Sequence, residues 1–254
     1  MSYFERWAST SQGVVTGLFD DFFDDIRLPE EHIVNMVENP ELIIPNTSKE
    51  KLFLDFYLMA LQKSSHPEQV IKQVKLVHQA QVASIEQENQ TINKKRIWEI
   101  TQKKGGDSVL FYRTIYDHLY AKDEKEALFQ LGSLMQLEND IFDIYKDYKY
   151  GIATLPTTFL RVADTRSLYA EQMNLMIELC HRMDYPKKQV VQFLDRLMPV
   201  INRGFVCLDQ YQHLEDNNCG VFNLASFTRK QLICDMEKPK NFFRTIFYQL
   251  TNHY

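Results

Sequence analysis

Glycine and proline are scarce in this chain, and their scarcity disfavours a turn-rich β architecture. Its 254 residues include 8 Gly and 8 Pro, roughly half the share that these two residues usually have together. A long apolar run is also lacking, since the most apolar segment, residues 52–61, is short and contains Asp55. We therefore expect no transmembrane segment. The first residues include Glu5 and Arg6 and lack the apolar core of a signal peptide.

Positive charge is not in excess, and cysteine motifs are missing. The sequence has 29 Lys and Arg against 34 Asp and Glu, a formal net charge of -5. This is the wrong sign for binding a phosphate backbone, so nucleic acid is not an expected partner. The cysteines form neither a C-x-x-C pair nor a zinc-ligand spacing with histidine, which favours reduced thiols in a cytoplasmic protein. They are Cys180, Cys207, Cys219 and Cys234.

What the chain does contain is helical periodicity. Hydrophobic residues make up 44% of it, enough to bury a core. They recur at spacings of three and four, as at Val70, Val74 and Val77, which indicates amphipathic helices rather than strands. We predict an all-α fold in which residues 1–254 form one compact domain. The predicted helices cover roughly 3–25, 29–38, 49–64, 67–90, 93–103, 107–121, 123–149, 156–184, 186–215, 226–236 and 239–252.

The first of two acidic clusters occupies residues 19–25, which read Phe-Asp-Asp-Phe-Phe-Asp-Asp. At the end of a helix, Asp21, Asp24 and Asp25 would share one face. Carboxylates there oppose the helix dipole and repel one another, so the arrangement costs stability unless a cation binds. A solvated acidic patch that ends a helix is the alternative interpretation.

The second cluster occupies residues 136–147 in the predicted helix 123–149. The rest of that helix is mostly apolar, and Lys146 lies only at the edge of the acidic face. This pattern favours a helix whose acidic face lines an internal cavity, the alternative being a helix with a narrow solvated face. At about 100° per residue, one stripe collects Gly132, Gln136, Asn139, Asp140, Asp143 and Asp147.

Two such clusters suggest a divalent metal. Mg²⁺ takes oxygen ligands and is normally held by one or two carboxylates plus phosphate oxygens of a substrate. An allylic diphosphate ionised with that help leaves a carbocation, which aromatic faces stabilise. We therefore expect helices 3–25 and 123–149 to face each other across a pocket. Asp21 and Asp24 should then lie within about 12 Å of Asp143, a span that Mg²⁺ and one diphosphate can bridge.

The residues from 136 to 156 resemble the second aspartate motif of squalene and phytoene synthases. Asp20-Asp21-x-x-Asp24 is similar to their first motif, and the separation of 143 minus 20, or 123 residues, is similar to theirs. The resemblance covers about residues 20–156 and, by length and helix pattern, extends to the end. It implies a class I isoprenoid synthase fold, a helical bundle around a central pocket with Mg²⁺ and diphosphate at its mouth. The positions that match at fixed spacing are Gln136, Leu137, Asn139, Asp143, Asp147, Gly151, Leu155 and Pro156.

The resemblance also implies roles for individual residues. The catalytic carboxylates would be Asp20, Asp21, Asp24, Asp143 and Asp147, which with Asn139 would bind the metal. Gln136, Asp25 and Asp140 would contact substrate or orient ligands and water. The lysines that would substitute as diphosphate ligands, if they are not simply solvated surface charges, are Lys103, Lys104, Lys146 and Lys149.

The sequence departs from the family mainly in its basic residues. Squalene and phytoene synthases usually carry Arg where this chain has Gly17, Phe142 and Tyr150. Only 19 residues precede Asp20, so the helix that usually comes before the first motif is expected to be missing or abbreviated. We therefore expect slow turnover. A partner subunit that completes the pocket and a peripheral membrane contact are both compatible with the sequence.

The same motifs fit other activities in part. The pattern at Asn139, Asp143 and Asp147 also resembles the second metal motif of terpene cyclases. The first motif is likewise similar to that of cyclases and chain-elongating prenyltransferases. Condensation of allylic diphosphates is the leading hypothesis. A cyclase, an elongating prenyltransferase, a non-catalytic homologue that binds isoprenoid diphosphate and a purely structural helical protein are the alternatives. Residues 104–108 are predicted to separate two helical stretches, either as a break in a helix that bends around the pocket or as a plain loop.

Overall fold

The computed structural model describes residues 3–24 and 28–251, with the side chains of residues 6–19, 21–22 and 28–251. Within these ranges every regular element is helical and no strand is present, as the spacing of apolar residues predicts. Short 3₁₀ turns cover Pro40–Leu42, Ile85–Glu88 and Leu224–Ser226. The α-helices of this part are α1 Tyr3–Asp24, α2 Glu30–Glu38, α3 Ser48–Lys63, α4 Pro67–Ser84, α5 Lys94–Arg113, α6 Glu124–Phe142, α7 Ile144–Tyr150, α8 Leu155–Thr158, α9 Val162–Arg182, α10 Lys187–Asn217, α11 Arg229–Leu232 and α12 Pro239–Thr251.

The chain divides into two compact units. Unit 1 comprises residues 1–84 and 107–119, and unit 2 comprises residues 85–106 and 120–254. The division falls inside α5. The predicted single domain of residues 1–254 stays a prediction.

Unit 1 has an aromatic core. The ring of Phe53 stacks on Phe19 with centroids 5.9 Å apart and on Tyr57 at 5.5 Å. Tyr57 is fully buried, and its hydroxyl donates to the backbone oxygen of Val37 at 3.1 Å. The polar end of this large side chain is therefore satisfied, as burial of a tyrosine requires.

Unit 2 is built on α6, α9 and α10. The buried Tyr169 of α9 donates to the backbone oxygen of Ile201 in α10 at 2.7 Å. Tyr211 of α10 donates to the backbone oxygen of Ile141 in α6 at 3.0 Å. These hydroxyls tie the three helices together through carbonyl oxygens inside an otherwise apolar core.

The predicted interruption at residues 104–108 is wrong, because α5 runs unbroken through both glycines. A Cβ built on Gly105 would lie 2.0 Å from the backbone oxygen of Gly132 in α6, and one on Gly106 would lie 2.4 Å from the ring of Phe129. The reverse also holds, since a Cβ on Gly132 would lie 2.2 Å from the oxygen of Gly105. The glycines permit the close approach of two helices rather than a bend.

Other predicted helices also have different bounds. Those predicted for 67–90 and 107–121 extend beyond the ends of α4 at Ser84 and α5 at Arg113. The predicted helix 123–149 divides at Asp143 into α6 and α7, and the predicted helix 156–184 divides into α8 and α9 because residues 159 and 161 have extended backbone angles. Residues 226–236 form only the single turn α11. All four cysteines are free thiols, as expected. No described helix has both the length and the apolar character needed to cross a membrane.

Candidate functional site

The second aspartate motif lies at the junction of α6 and α7. Asp143 ends α6 with φ -87° and ψ 9°, a sparsely populated region of backbone conformation. Its N–H still donates to the oxygen of Asn139 at 2.8 Å, and its own oxygen accepts from the N–H of Asp147 at 2.9 Å. The helical register therefore continues through the junction and keeps these three residues on one side.

Gly151 terminates the motif. It adopts φ +70°, and its N–H donates to the oxygens of Asp147 and Tyr148. The N–H of Ile152 adds a bond of 2.8 Å to the same oxygen of Asp147. A residue with a side chain is strained at this φ, which explains glycine at this position of the motif.

Asp140 is buried against α5. One carboxylate oxygen accepts from Gln136 Nε2 at 2.9 Å and the other from Thr101 Oγ1 at 3.2 Å. Burial raises the pKa of Asp140 to about 6, while these two bonds and the charge of Lys104 oppose the rise. The negative charge of Asp143 adds to it, so the two carboxylates lie close enough to interact.

Asp147 has a higher pKa than Asp140. Burial raises the pKa of Asp147 to about 7, and the charges of Asp140 and Asp143 raise it further. Lys146 and a hydrogen bond from Thr154 act in the opposite direction. Three carboxylates therefore cluster in unit 2, and two of them, Asp140 and Asp147, hold protons more tightly than isolated aspartates do.

The other residues predicted around this motif are more exposed. Asn139 is exposed, and so are Lys103 and Lys146. Lys149 is exposed as well and lies over the ring of Tyr150, 5.4 Å from its centroid. Lys104 alone among the four lysines is half-buried, and it is the one whose charge reaches Asp140.

Among the aspartates of the first acidic cluster, Asp21 alone has a described side chain. Its Oδ2 lies 2.7 Å from Lys49 Nζ. This lysine of the same unit therefore supplies positive charge to the cluster. Asp25 and the side chains of Asp20 and Asp24 lie outside the described residues. Asp21 belongs to unit 1 and Asp143 to unit 2, and the predicted facing of the two motifs stays a prediction.

The donor atoms of the second motif suit Mg²⁺ brought by a phosphate ligand. Within the described ranges, no three His, Cys, Asp or Glu side chains form a group that could hold a metal ion by themselves. Asp143 and Asp147 offer carboxylate oxygens and Asn139 an amide oxygen, the hard donors that Mg²⁺ prefers. One or two carboxylates suffice when phosphate oxygens complete the coordination. The residues therefore fit a metal shared with a substrate.

Sequence reasoning missed Glu138. Its side chain is buried, and its Oε1 has no hydrogen-bond partner. Arg203 Nε lies 3.4 Å away but donates instead to the backbone oxygen of Val200. Burial raises the pKa of Glu138 to about 8. The sequence does indicate that Glu138 is buried, because a helical wheel places it between the apolar residues Leu134 and Ile141.

A cavity of about 330 Å³ lies in unit 1. Gly13 and Gly17 leave space beside α1, since a Cβ added at either would meet nothing within 4 Å. A hydrogen bond of 2.5 Å joins Thr16 Oγ1 and Tyr112 Oη in its wall. The remaining lining residues are Val15, Phe19, Val74, Val77, Ser108 and Phe111.

Comparison with protein-family models, with curated proteins and with solved structures finds no match to this chain. The likeness to squalene and phytoene synthases therefore rests on the motif residues and their spacing alone.

Proposed function

We propose that this chain is a Mg²⁺-dependent isoprenoid diphosphate enzyme of the squalene and phytoene synthase-like type. The observation that supports the proposal is the cluster of Asp140, Asp143 and Asp147, whose charges oppose one another's ionisation. Such a cluster is unfavourable in the absence of a cation. A divalent cation bound together with a diphosphate would relieve this repulsion. Metal binding would therefore explain why three carboxylates occupy one helix face.

In this proposal, different residues of unit 2 bind the metal, orient its ligands and attract the diphosphate leaving group. Asp143, Asp147 and Asn139 supply oxygen ligands, while Gln136 and Thr101 fix the orientation of Asp140 behind them. Lys104 adds positive charge on the α5 side. When bound, Mg²⁺ would neutralise the charge that develops on the diphosphate.

The reaction would break the bond between the allylic carbon and the diphosphate oxygen, with the electron pair leaving on the diphosphate. The double bond of a second isoprenoid would then attack the allylic cation, and loss of a proton would complete the condensation. No side-chain nucleophile is needed. Because Arg is absent at residues 17, 142 and 150, we expect slow turnover, since one lost electrostatic donor costs about 10²- to 10³-fold in rate.

A non-catalytic homologue that binds isoprenoid diphosphate is the second candidate. It is favoured by the ion pair between Asp21 and Lys49, which neutralises a carboxylate that the first motif would otherwise offer to metal. The missing arginines point the same way. A terpene cyclase or an elongating prenyltransferase would use the same metal residues, so product analysis must separate these activities.

The test is pyrophosphate release from allylic diphosphates by the purified full chain with Mg²⁺. Substrates are supplied singly, in pairs and with isopentenyl diphosphate, and hydrocarbon products are identified. Condensation of two identical diphosphates supports the proposal, a cyclic product from one substrate indicates a cyclase, and isopentenyl-dependent products indicate elongation. Asp143→Asn should lower the rate by about 10²-fold or more, whereas the exposed Asp195→Asn is the matched control. Diphosphate binding without any product would indicate the non-catalytic homologue.

A further inference from the structure

The last described helix, α12, packs against unit 2 with its polar side. Asn241 and Thr245 are its buried residues. Asn241 Nδ2 donates to the backbone oxygen of Asp235 at 2.8 Å, and Arg244 Nη2 donates to Asp209 at 2.9 Å. The hydroxyl of Tyr248 lies 3.0 Å from both oxygens of the same carboxylate. The inner face of the helix thus combines hydrogen bonds and an ion pair with one aromatic contact, the ring of Tyr248 stacked on Phe205 with centroids 5.4 Å apart.

Its apolar side faces outward. A surface helix ordinarily buries its apolar stripe and exposes its charges, so the orientation of α12 is inverted. The contacts of the inner face explain how the helix stays attached, but the large outer side chains remain largely exposed. Their exposed fractions are 58% for Phe242, 66% for Phe243, 39% for Ile246, 64% for Phe247 and 72% for Leu250.

Length and charge favour a lipid surface as the occupant. At 13 residues, α12 spans about 20 Å, too short to cross a bilayer. Residues 238–254 contain Lys238, Lys240 and Arg244 but no Asp or Glu, in a chain whose net charge is -5. Because Arg244 pairs with Asp209 on the inner face, the exposed Lys238 and Lys240 supply the outward positive charge. A basic amphipathic helix of this kind suits anionic headgroups.

The size of the patch disfavours a second copy of the chain. Aromatic side chains bury roughly 150–250 Å² each, so the five exposed residues present on the order of 500 Å² of apolar surface. A stable protein interface needs about 800 Å² from each partner. A helix lying flat in the headgroup region needs only one apolar face.

We propose that α12 is an interfacial anchor that binds bilayers containing anionic lipids. This inference is independent of the proposed enzymatic function, because it uses no residue of the acidic clusters. Its outer face inserts among the acyl chains near the headgroups, while Lys240 and Lys238 remain beside the lipid phosphates.

Vesicle flotation of the full chain tests the anchor. Vesicles of phosphatidylcholine with about one third phosphatidylglycerol, a strongly anionic surface, are compared with vesicles of phosphatidylcholine alone. The wild type should float with the anionic vesicles, and binding should weaken at about 1 M salt, where the screening length is about 3 Å. Phe243→Ser/Leu250→Ser should reduce partitioning by about tenfold or more. The matched control is Leu160→Ser/Val221→Ser, which removes two comparably exposed apolar side chains elsewhere in unit 2.

Two further measurements make the outcome decisive. Phe247→Trp should give a blue-shifted emission on anionic vesicles, relative to the wild type with its own two tryptophans. Analytical ultracentrifugation reports self-association. Equal flotation of the two double variants, no flotation of the wild type, or a dimer that only Phe243→Ser/Leu250→Ser abolishes would each overturn the proposal. The last of these would assign the face to a second copy.

Discussion

Asp143 offers the most direct test of metal and diphosphate binding at the scale of single residues. Mg²⁺ with pyrophosphate should stabilise the native chain, by about 2.7 kcal/mol at a ligand concentration of 100 times Kd. That corresponds to a rise in Tm of roughly 5–10 °C for a chain of this size. Asp143→Asn should largely abolish the rise, because a ligand for the metal is lost.

The apo form of Asp143→Asn should be as stable as the wild type or slightly more stable, since one of three repelling charges is removed. Differential scanning calorimetry with and without Mg²⁺ and pyrophosphate measures both quantities. A strongly destabilised apo variant would mean that Asp143 is structural.

Glu138 should make the chain less stable as pH rises. Its pKa of about 8 in the folded state exceeds the ordinary value of 4.5, so the native state binds this proton more tightly than the unfolded state does. The contribution is fully present below about pH 4.5 and is lost by about pH 8, with a size on the order of 4 kcal/mol at most. Asp140 and Asp147 add to the same trend.

Glu138→Gln should remove the contribution of Glu138 to this pH dependence and leave that of Asp140 and Asp147, raising stability near pH 8 while leaving it little changed near pH 5. Urea unfolding at the two pH values measures the difference. Glu178→Gln, at an exposed position of α9, should preserve the wild-type slope. A variant at Glu138 that is destabilised at both pH values would contradict the expected role of its charge.

Spacing along one helix predicted which acids would share a face, and the interaction of Asp140 with Asp143 agrees with it. What spacing could not predict are partners distant in sequence. The lysine beside Asp21 comes from residue 49, and the hydroxyl that binds Asp140 comes from Thr101. The Oε1 of Glu138 lacks a hydrogen-bond partner because the Nε–H of Arg203 donates to Val200 instead. A helical wheel of α6 cannot show this, because Arg203 lies in another helix.

At the scale of elements, the contact between α5 and α6 should tolerate no side chain at Gly105. Gly105→Ala would place a methyl group 2.0 Å from the backbone oxygen of Gly132, and helices cannot separate there without losing neighbouring contacts. We expect a loss of about 2–3 kcal/mol. Gly13→Ala in α1 meets open space and should be neutral or stabilising by up to about 1 kcal/mol.

Urea unfolding of the two alanine variants provides the comparison. Equal stability of Gly105→Ala and the wild type would show that the helices can move apart freely. The same contact explains why sequence reasoning misplaced a break at residues 104–108. Adjacent glycines signal a turn when read locally, and only the facing backbone of α6 shows that they serve close packing.

Most other helices were predictable within a few residues because proline or a polar cap marks their ends. Thr47 caps α3 by accepting from the N–H of Glu50, and Pro67 begins α4. The division of the predicted helix 156–184 was not predictable, since the extended residues between α8 and α9 carry no glycine or proline.

At the scale of the whole molecule, the open question is whether the two aspartate motifs serve one ligand. A double-mutant cycle of Asp21→Asn and Asp143→Asn answers it through the affinity for Mg²⁺ and pyrophosphate. If both motifs bind the same diphosphate, the two losses should be non-additive by about 1 kcal/mol or more.

The exposed Asp55, which pairs with Lys51 in unit 1, supplies the control. Asp55→Asn combined with Asp143→Asn should give additive effects in isothermal titration calorimetry. Additivity in the Asp21 cycle as well would separate the motifs and leave the acidic stripe of unit 2 as a binding site on its own.

Composition predicted the all-α class because apolar spacing and the scarcity of glycine and proline act along the whole chain. It did not predict two compact units, although the break wrongly predicted at residues 104–108 coincides with their division between residues 106 and 107, which lies inside the continuous helix α5. The sequence likewise did not predict the inverted orientation of α12. Its sequence is amphipathic in either orientation, and the contacts with Asp209 and Asp235, which lie outside its helical wheel, show which side faces the protein.

The attachment of α12 by polar contacts has a consequence for local opening. Hydrogen bonds and partly exposed ion pairs contribute little net free energy in water, and three of the contacts to α10 converge on the single carboxylate of Asp209. The helix should therefore detach while the core of unit 2 remains folded. Its amide hydrogens would exchange faster than those of α9, and trypsin would cut after Lys240 long before it reached the buried helices.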